Sequence, residues 1–241
     1  MKTRRIVAAT VAAAASLSIA GCGSSYTPLT QANFAQSISK VSKTVKSVHM
    51  TMKASSRLTI DADFNYRAPV AMQMTMNLTV GTSSSKVSLR LIGNTIYLQV
   101  PPATPAGKWV KADASALGAG AAQSYTDLGP QGFATQFQKG VKSIKYVGAT
   151  KINGQTVQHY TVVADASQLG TSLKALAAQV PSLATIKTID EQVYVSNDNV
   201  LQRLAITLPA PIGTMQVDFT GWNNPVTITA PAASAIVTSG P

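Results

Sequence analysis

The side chains with most chemistry to offer in this chain are thioethers. "HMTM" (His49 to Met52) and "MQMTM" (Met72 to Met76) bring sulfur and one imidazole into two short stretches, a ligand set that suits Cu(I). Both stretches alternate with a period of two, so a strand would put successive residues on opposite faces. His49 then points away from Met50 and Met52, while Met72, Met74 and Met76 run into Leu78 and Val80 on one unchanged face. A Met-rich Cu(I) site is therefore a remote alternative. Methionine is unusual in strands, which prefer β-branched and aromatic residues. What it offers is a flexible, polarizable wall that refits around a ligand without fixed shape, such as an acyl chain. Ordinary core packing is the competing reading of the same residues.

Catalytic chemistry finds little footing. Only two histidines exist, His49 and His159, and neither lies in a motif with a nucleophile or at metal-ligand spacing. His159 alternates within a strand and reads as structural. Asp190 and Glu191 are adjacent, so they face opposite sides of a strand and cannot work as a pair. Glycines fall singly at turns rather than in a phosphate-binding loop, and no basic run interleaved with aromatics points to nucleic acid. The expectation is a protein that is not an enzyme and carries no cofactor.

The amino terminus sets the compartment. Lys2, Arg4 and Arg5 precede an Ala-rich apolar run from Ile6 to Ile19, the pattern of a signal peptide. At roughly 14 residues the run is shorter than the ~20 needed to span a bilayer. It closes on Ile19-Ala20-Gly21-Cys22, with small residues before the single cysteine of the chain, as in a bacterial lipobox. The resemblance to lipoprotein signal peptides implies cleavage between Gly21 and Cys22. It also implies diacylglycerol on the Cys22 sulfur and usually a third chain, typically palmitate, on the new amino group. Two or more acyl chains anchor stably. With its thiol acylated, Cys22 serves no disulfide, so the fold relies on its core. Loss of residues 1–21 leaves about 220 residues with a net charge near +8 instead of +11, read as a solvated basic surface with at most a weak pull toward anionic headgroups.

The elements that must position the methionines follow from periodicity. Thr30 is a candidate N-cap for a helix whose stripe is Phe34, Ile38, Val41 and Val45. From Val48 to Ile60 the period becomes two, reading as one strand. Val70 to Val80 repeats the pattern, and "SKVSLRLIGNTIYLQV" reads as two strands about Gly93-Asn94. Pro101 to Gly132, which contains "GKWVKADAS", is expected to hold short helical pieces. Asn153-Gly154 marks a further hairpin, and Leu169, Leu173, Leu176 and Val180 trace a second helical stripe ended by Pro181. "TIDEQVYVS", "VLQRLAITL" and "TMQVDFTGW" finish the sheet, with turns at 196–199 and 209–213. About ten strands and a few helices result. An apolar face with few helices to cover it implies a strongly curved α+β architecture.

"IYLQVPPATPAGKWVKAD", "GQTVQHYTVVAD" and "VYVSNDNVLQRL", with the lipobox and the leading helix, resemble the actinobacterial lipoproteins of the LppX, LprA, LprF and LprG type. The likeness runs from Phe34 to Trp222 and rests on turn residues and alternation around Trp109, Gly154, Tyr160, Asp165, Tyr194 and Arg203. It implies a strongly curved antiparallel β half-barrel with a few helices over its concave apolar face, binding lipid or glycolipid without catalytic residues. The expected organisation is a signal peptide over 1–21, a lipidated tether over 22–29, one lipid-binding domain over 30–230 and a flexible tail over 231–241. Met50, Met52, Met72, Met74, Met76, Leu89, Leu91, Leu98, Leu204 and Ile206 are expected to line the cavity. The protein would sit on the outer face of the cell membrane, held by its acyl chains, with a membrane transporter as a further partner. Carriage of lipid is the leading reading. A lipid-sensing or interaction lipoprotein of the same fold is the alternative.

Overall fold

The computed structural model describes residues 26–117, 127–168, 185–209 and 213–237. The leader, Cys22 and the stripe expected at Leu169, Leu173, Leu176 and Val180 lie outside them. The chain builds two antiparallel meanders. The first is β1 (Ser47–Ala54), β2 (Leu58–Asn65), β3 (Ala71–Val80), β4 (Ser83–Ile92), β5 (Thr95–Gln99) and β6 (Trp109–Asp113). The second is β7 (Val141–Ile152), β8 (Gln155–Asp165), β9 (Thr188–Val195), β10 (Leu201–Thr207) and β11 (Thr214–Thr220). Pairing of β1 with β11 fuses them into one sheet, and β12 (Ile236–Val237) adds a short parallel pair to β6. The order β12-β6-β5-β4-β3-β2-β1-β11-β10-β9-β8-β7 leaves two free edges. The result is the expected α+β half-barrel, open rather than closed.

Among the described residues two helices lie on the concave side, α1 (Phe34–Ser42) and α2 (Pro130–Gly140). β6 and β7 stand near opposite edges of the sheet, so the chain between them must cross from one edge to the other. α2 is part of that crossing. It has Pro130 at its first turn, where the missing N–H is harmless, and it presses Phe133, Ala134 and Phe137 inward. Phe137 meets Phe34 of α1 edge-on at 5.6 Å, and Phe34 meets Tyr160 of β8 at 5.4 Å. These rings belong to one core of residues drawn from both meanders.

Four local expectations change. Thr30 is not the cap of α1: the helix begins after Asn33, whose Oδ1 accepts from the Thr30 N–H at 2.8 Å. The buried stripe is Phe34, Ile38, Ser39 and Ser42, with Val41 only half-buried. "GKWVKADAS" supplies β6 before a 3-10 turn at Ala114–Leu117. The stretch Val48 to Ile60 is two strands, with Ala54 opposite Leu58 and Ser55 turning at φ 53°. Three residues separate that pair, so the partners are four apart and the alternation passes through the turn in phase. A period-two pattern cannot reveal such a turn.

The two ends of the chain also pack. Tyr26 and Leu29, in the segment expected as a tether, meet Tyr160: the two phenols are 2.7 Å apart and the Leu29 N–H donates to Tyr160 Oη at 2.8 Å. Within the segment expected as a tail, Ile236 and Val237 are paired to β6, and Lys108 Nζ donates to the Ser234 carbonyl at 2.8 Å.

Candidate functional site

Register gathers the ten expected lining residues on the concave face. Directly opposed residues in a sheet share a face, and the rows can be followed strand by strand. One row reads Phe219, Met50, Ala62, Met74, Leu89 and Leu98 from β11 to β5. The next reads Leu204, Val217, Met52, Ile60, Met76 and Val87. Met72 and Leu91 lie in the row before these, beside Phe64 and Ile96. Ile206 lies in the row after them, beside Met215.

Burial is uneven across this face. Met50, Met72, Leu89, Leu91, Leu204 and Ile206 are at most 2 % exposed, and Met52 is 8 % exposed. Met74, Met76 and Leu98 are only half-buried against the core, as are Leu58 and Val87. Leu78, at the far end of β3, reaches 38 % exposure. One set of half-buried apolar residues therefore gathers near the hairpins β1–β2 and β3–β4, and another, Val141, Ile144 and Tyr146, lies along β7 at the opposite edge. Two depressions elsewhere take in none of the methionines, although the first borders Phe219, at the head of one row, and Trp222. One of about 440 Å³ includes Asn153, Gln155, Ser196 and Asp218, and one of about 550 Å³ between the helices includes Lys40, Lys43 and Gln138.

The polar side of the sheet separates the imidazoles from the sulfur. His49 is on the convex face, where its Nδ1 donates to Asp63 Oδ1 at 2.9 Å and its Nε2 is 3.5 Å from Asp61. That places it away from Met50 and Met52 and removes the imidazole from any Cu(I) site they would share. His159 stacks on Tyr194 at 4.4 Å and donates to Gln192 Oε1 at 2.6 Å, a structural role. Arg203 and Asp218 pair across β10 and β11 on the same convex face.

Three polar groups stand inside the apolar face without adequate partners. Glu191 of β9 is 1 % exposed between Val162 and Ile206, and Gln136 Nε2 of α2 donates to its Oε1 at 3.3 Å. Burial pushes its carboxyl from 4.5 up to about 7, because an ion is poorly solvated there. Tyr66 Oη and Trp222 Nε1 are buried with no hydrogen-bond partner. Burial raises the Tyr66 phenol well above its ordinary value, and the charge of Asp127 adds to this. Leaving such a donor unpaired costs about 1–3 kcal/mol. Sequence reading passed over the buried donors of Tyr66 and Trp222, and weighed Glu191 only as a partner for Asp190. Glu191 was discoverable, since it falls in phase with Ile189, Val193 and Val195; Tyr66 and Trp222 lie just past strand ends, where alternation gives no signal.

An open curved sheet with two helices laid across it among the described residues is similar to solved structures. LprF from Mycobacterium bovis superposes with a TM-score of 0.59 at 20% identity, covering 84% of this chain and 97% of that one. The lipoprotein LppX from Mycobacterium tuberculosis gives 0.56 at 20% identity, over 83% and 98%. This chain has the LprF and LppX fold. No protein-family model and no curated protein matches it in sequence. At this identity the likeness concerns the fold alone.

Proposed function

We propose that this protein is a membrane-anchored lipoprotein that takes lipid or glycolipid acyl chains onto its concave methionine face and carries them within the cell envelope. Anchoring is through acyl chains on Cys22, after removal of residues 1–21. The observation that carries the reading is the in-register apolar face whose Met74, Met76 and Leu98 remain half-buried beside a fully buried aromatic core. Burying a sixteen-carbon chain at ~0.8 kcal/mol per CH₂ yields on the order of 12 kcal/mol before ordering costs. That is enough to hold a lipid during passage through water. Methionine side chains accommodate chains of differing length and branching with little strain. Binding and release, rather than bond making, are the chemistry such a face supports.

The test is mass spectrometry of residues 22–241 with Cys22→Ser, purified from a host related to the source, under native and then denaturing conditions. An added mass that organic extraction removes and that is identified as a diacyl or triacyl lipid is the expected result. Protein that emerges empty and takes up no added lipid would overturn the proposal. Lipid that binds but never passes to acceptor vesicles would instead assign a sensing or interaction role.

A further inference from the structure

Tyr66 and Trp222 occupy the same end of the molecule. The Tyr66 N–H donates to the Lys46 carbonyl at 2.9 Å, and the Asn223 N–H donates to the next carbonyl, Ser47, at 2.9 Å. The Lys46 N–H in turn donates to Asn223 Oδ1 at 2.8 Å. Two segments, one from each meander, are thus fixed on either side of the start of β1. From there both rings turn inward. Tyr66 stacks on Phe64 with centroids 5.9 Å apart and planes 11° from parallel, and Trp222 leans on Phe219 at 5.9 Å. Phe64 and Phe219 are themselves at most 1 % exposed. The phenol Oη and the indole Nε1 are therefore buried at the end opposite the half-open corner at Leu58, Met76 and Leu78, and neither has a hydrogen-bond partner, although the charge of Asp127 reaches the phenol and Trp222 also borders the depression that includes Asn153 and Asp218.

Two buried donors lacking an acceptor at one end of an apolar face specify the missing chemistry. An indole can only donate, and a phenol can donate as well as accept, so one strong acceptor can satisfy both. We propose that Tyr66 Oη–H and Trp222 Nε1–H form a carbonyl-binding subsite that receives the ester oxygens of an acylated lipid whose chains lie along the methionine rows. The subsite deepens the lipid-carrier reading and rests on it. It makes the preferred ligand an ester rather than a hydrocarbon, an ether lipid or a fatty alcohol, because an ester carbonyl brings a strong acceptor without an additional donor to bury. A site with fixed donors discriminates against ligands that leave them unpaired.

The experiment compares dioctanoylglycerol with its diether analogue, dioctylglycerol, on delipidated residues 22–241 carrying Cys22→Ser. Variants are Tyr66→Phe, Trp222→Phe and both together, which keep the rings and remove the donors. The expected result is an ester preference on the order of tenfold that shrinks in each single variant and vanishes in the double, with diether uptake unchanged. Thermal melting without lipid gives a second readout. Removing an unpaired buried donor should leave the melting temperature equal or higher, whereas loss of an ordinary structural hydrogen bond would lower it. Equal affinity of the parent for diester and diether overturns the subsite and leaves lipid carriage standing. An ester preference that survives in the double variant overturns its assignment to these residues. Uptake of neither probe overturns the subsite together with the carrier reading.

Discussion

The concave face has two halves built from different residues. Beneath the helices, Phe34, Phe137, Phe133, Phe219 and Tyr160 interlock with ring centroids 5.4 to 5.8 Å apart, backed by Val193, Leu204 and Val217, all inaccessible to solvent. Across β2 to β5, no ring faces inward below Phe64. The rows continue instead as Met74, Met76, Val87 and Leu98, half-buried. The sheet and the alternation are the same in both halves, and both are apolar. What differs is stiffness: aromatic rings with few rotamers fix one half, and unbranched thioethers leave the other free to repack. A scaffold and a ligand wall are thus drawn from one continuous sheet.

The sharpest way to break this comparison is to exchange the consequences of mutation between halves. Phe34→Ala removes a fully buried ring from two edge-on contacts and should cost about 3–5 kcal/mol, read from chemical denaturation. A loss below about 1 kcal/mol would mean that the aromatic half is no more rigid than its neighbour. In the other half, Met74→Glu should abolish lipid co-purification while leaving stability within about 1 kcal/mol of the parent, because the new carboxylate can reach water from a half-buried site. Unchanged lipid loading in Met74→Glu would deny the methionine rows their role. Together the two substitutions separate a residue that holds the fold from one that holds cargo.

These halves were not equally legible in the sequence. Most of the methionine half could be read, because the two-residue hairpin at Gly93-Asn94 announces itself by turn chemistry, and strict alternation assigns each side chain to a face. The scaffold half was read only in part. α2 has polar residues among its buried ones, Gln136 included, so its hydrophobic stripe is diluted, and beyond the short helical pieces expected up to Gly132 no helix was read there. Which strands close the sheet is a long-range fact: nothing local in "SVHMTMKA" or "TMQVDFT" says that they pair. The Ser55 turn was hidden by parity, and the three under-partnered polar groups were hidden because partnership is a tertiary property.

Glu191 sharpens the comparison from the scaffold side. Its carboxyl lies where α2 meets β9, and its folded value of about 7 exceeds the ordinary 4.5. Between those values the folded chain keeps a proton that the unfolded chain has lost. Stability should therefore fall as pH rises from about 4.5 to about 7 and level off above that, by up to about 3 kcal/mol in all. Glu191→Gln removes the titrating group while keeping the contact with Gln136, so its denaturation midpoint should not fall across the same window and should exceed that of the parent at pH 8. A parent profile that is flat or rising over this window would show the carboxyl to be solvated and α2 to be less firmly seated than the aromatic contacts imply.

The smallest expected effect is at the rim of the methionine half. Ser55 carries a side chain at φ 53°, a left-handed conformation that costs a non-glycine residue about 1 kcal/mol or more. Ser55→Gly relieves that strain but also loosens the unfolded chain and removes the hydroxyl that accepts from the Arg57 N–H at 3.3 Å. The net gain should be no more than about 0.5 kcal/mol, measured as a small rise in denaturation midpoint. Its value lies in where it acts. The hairpin borders Leu58, in the row beside Met76, and shares no contact with the Phe34 cluster. A change in the rate of lipid uptake with the scaffold untouched would place the entrance at this corner, whereas an unchanged uptake rate would place it elsewhere along the rim.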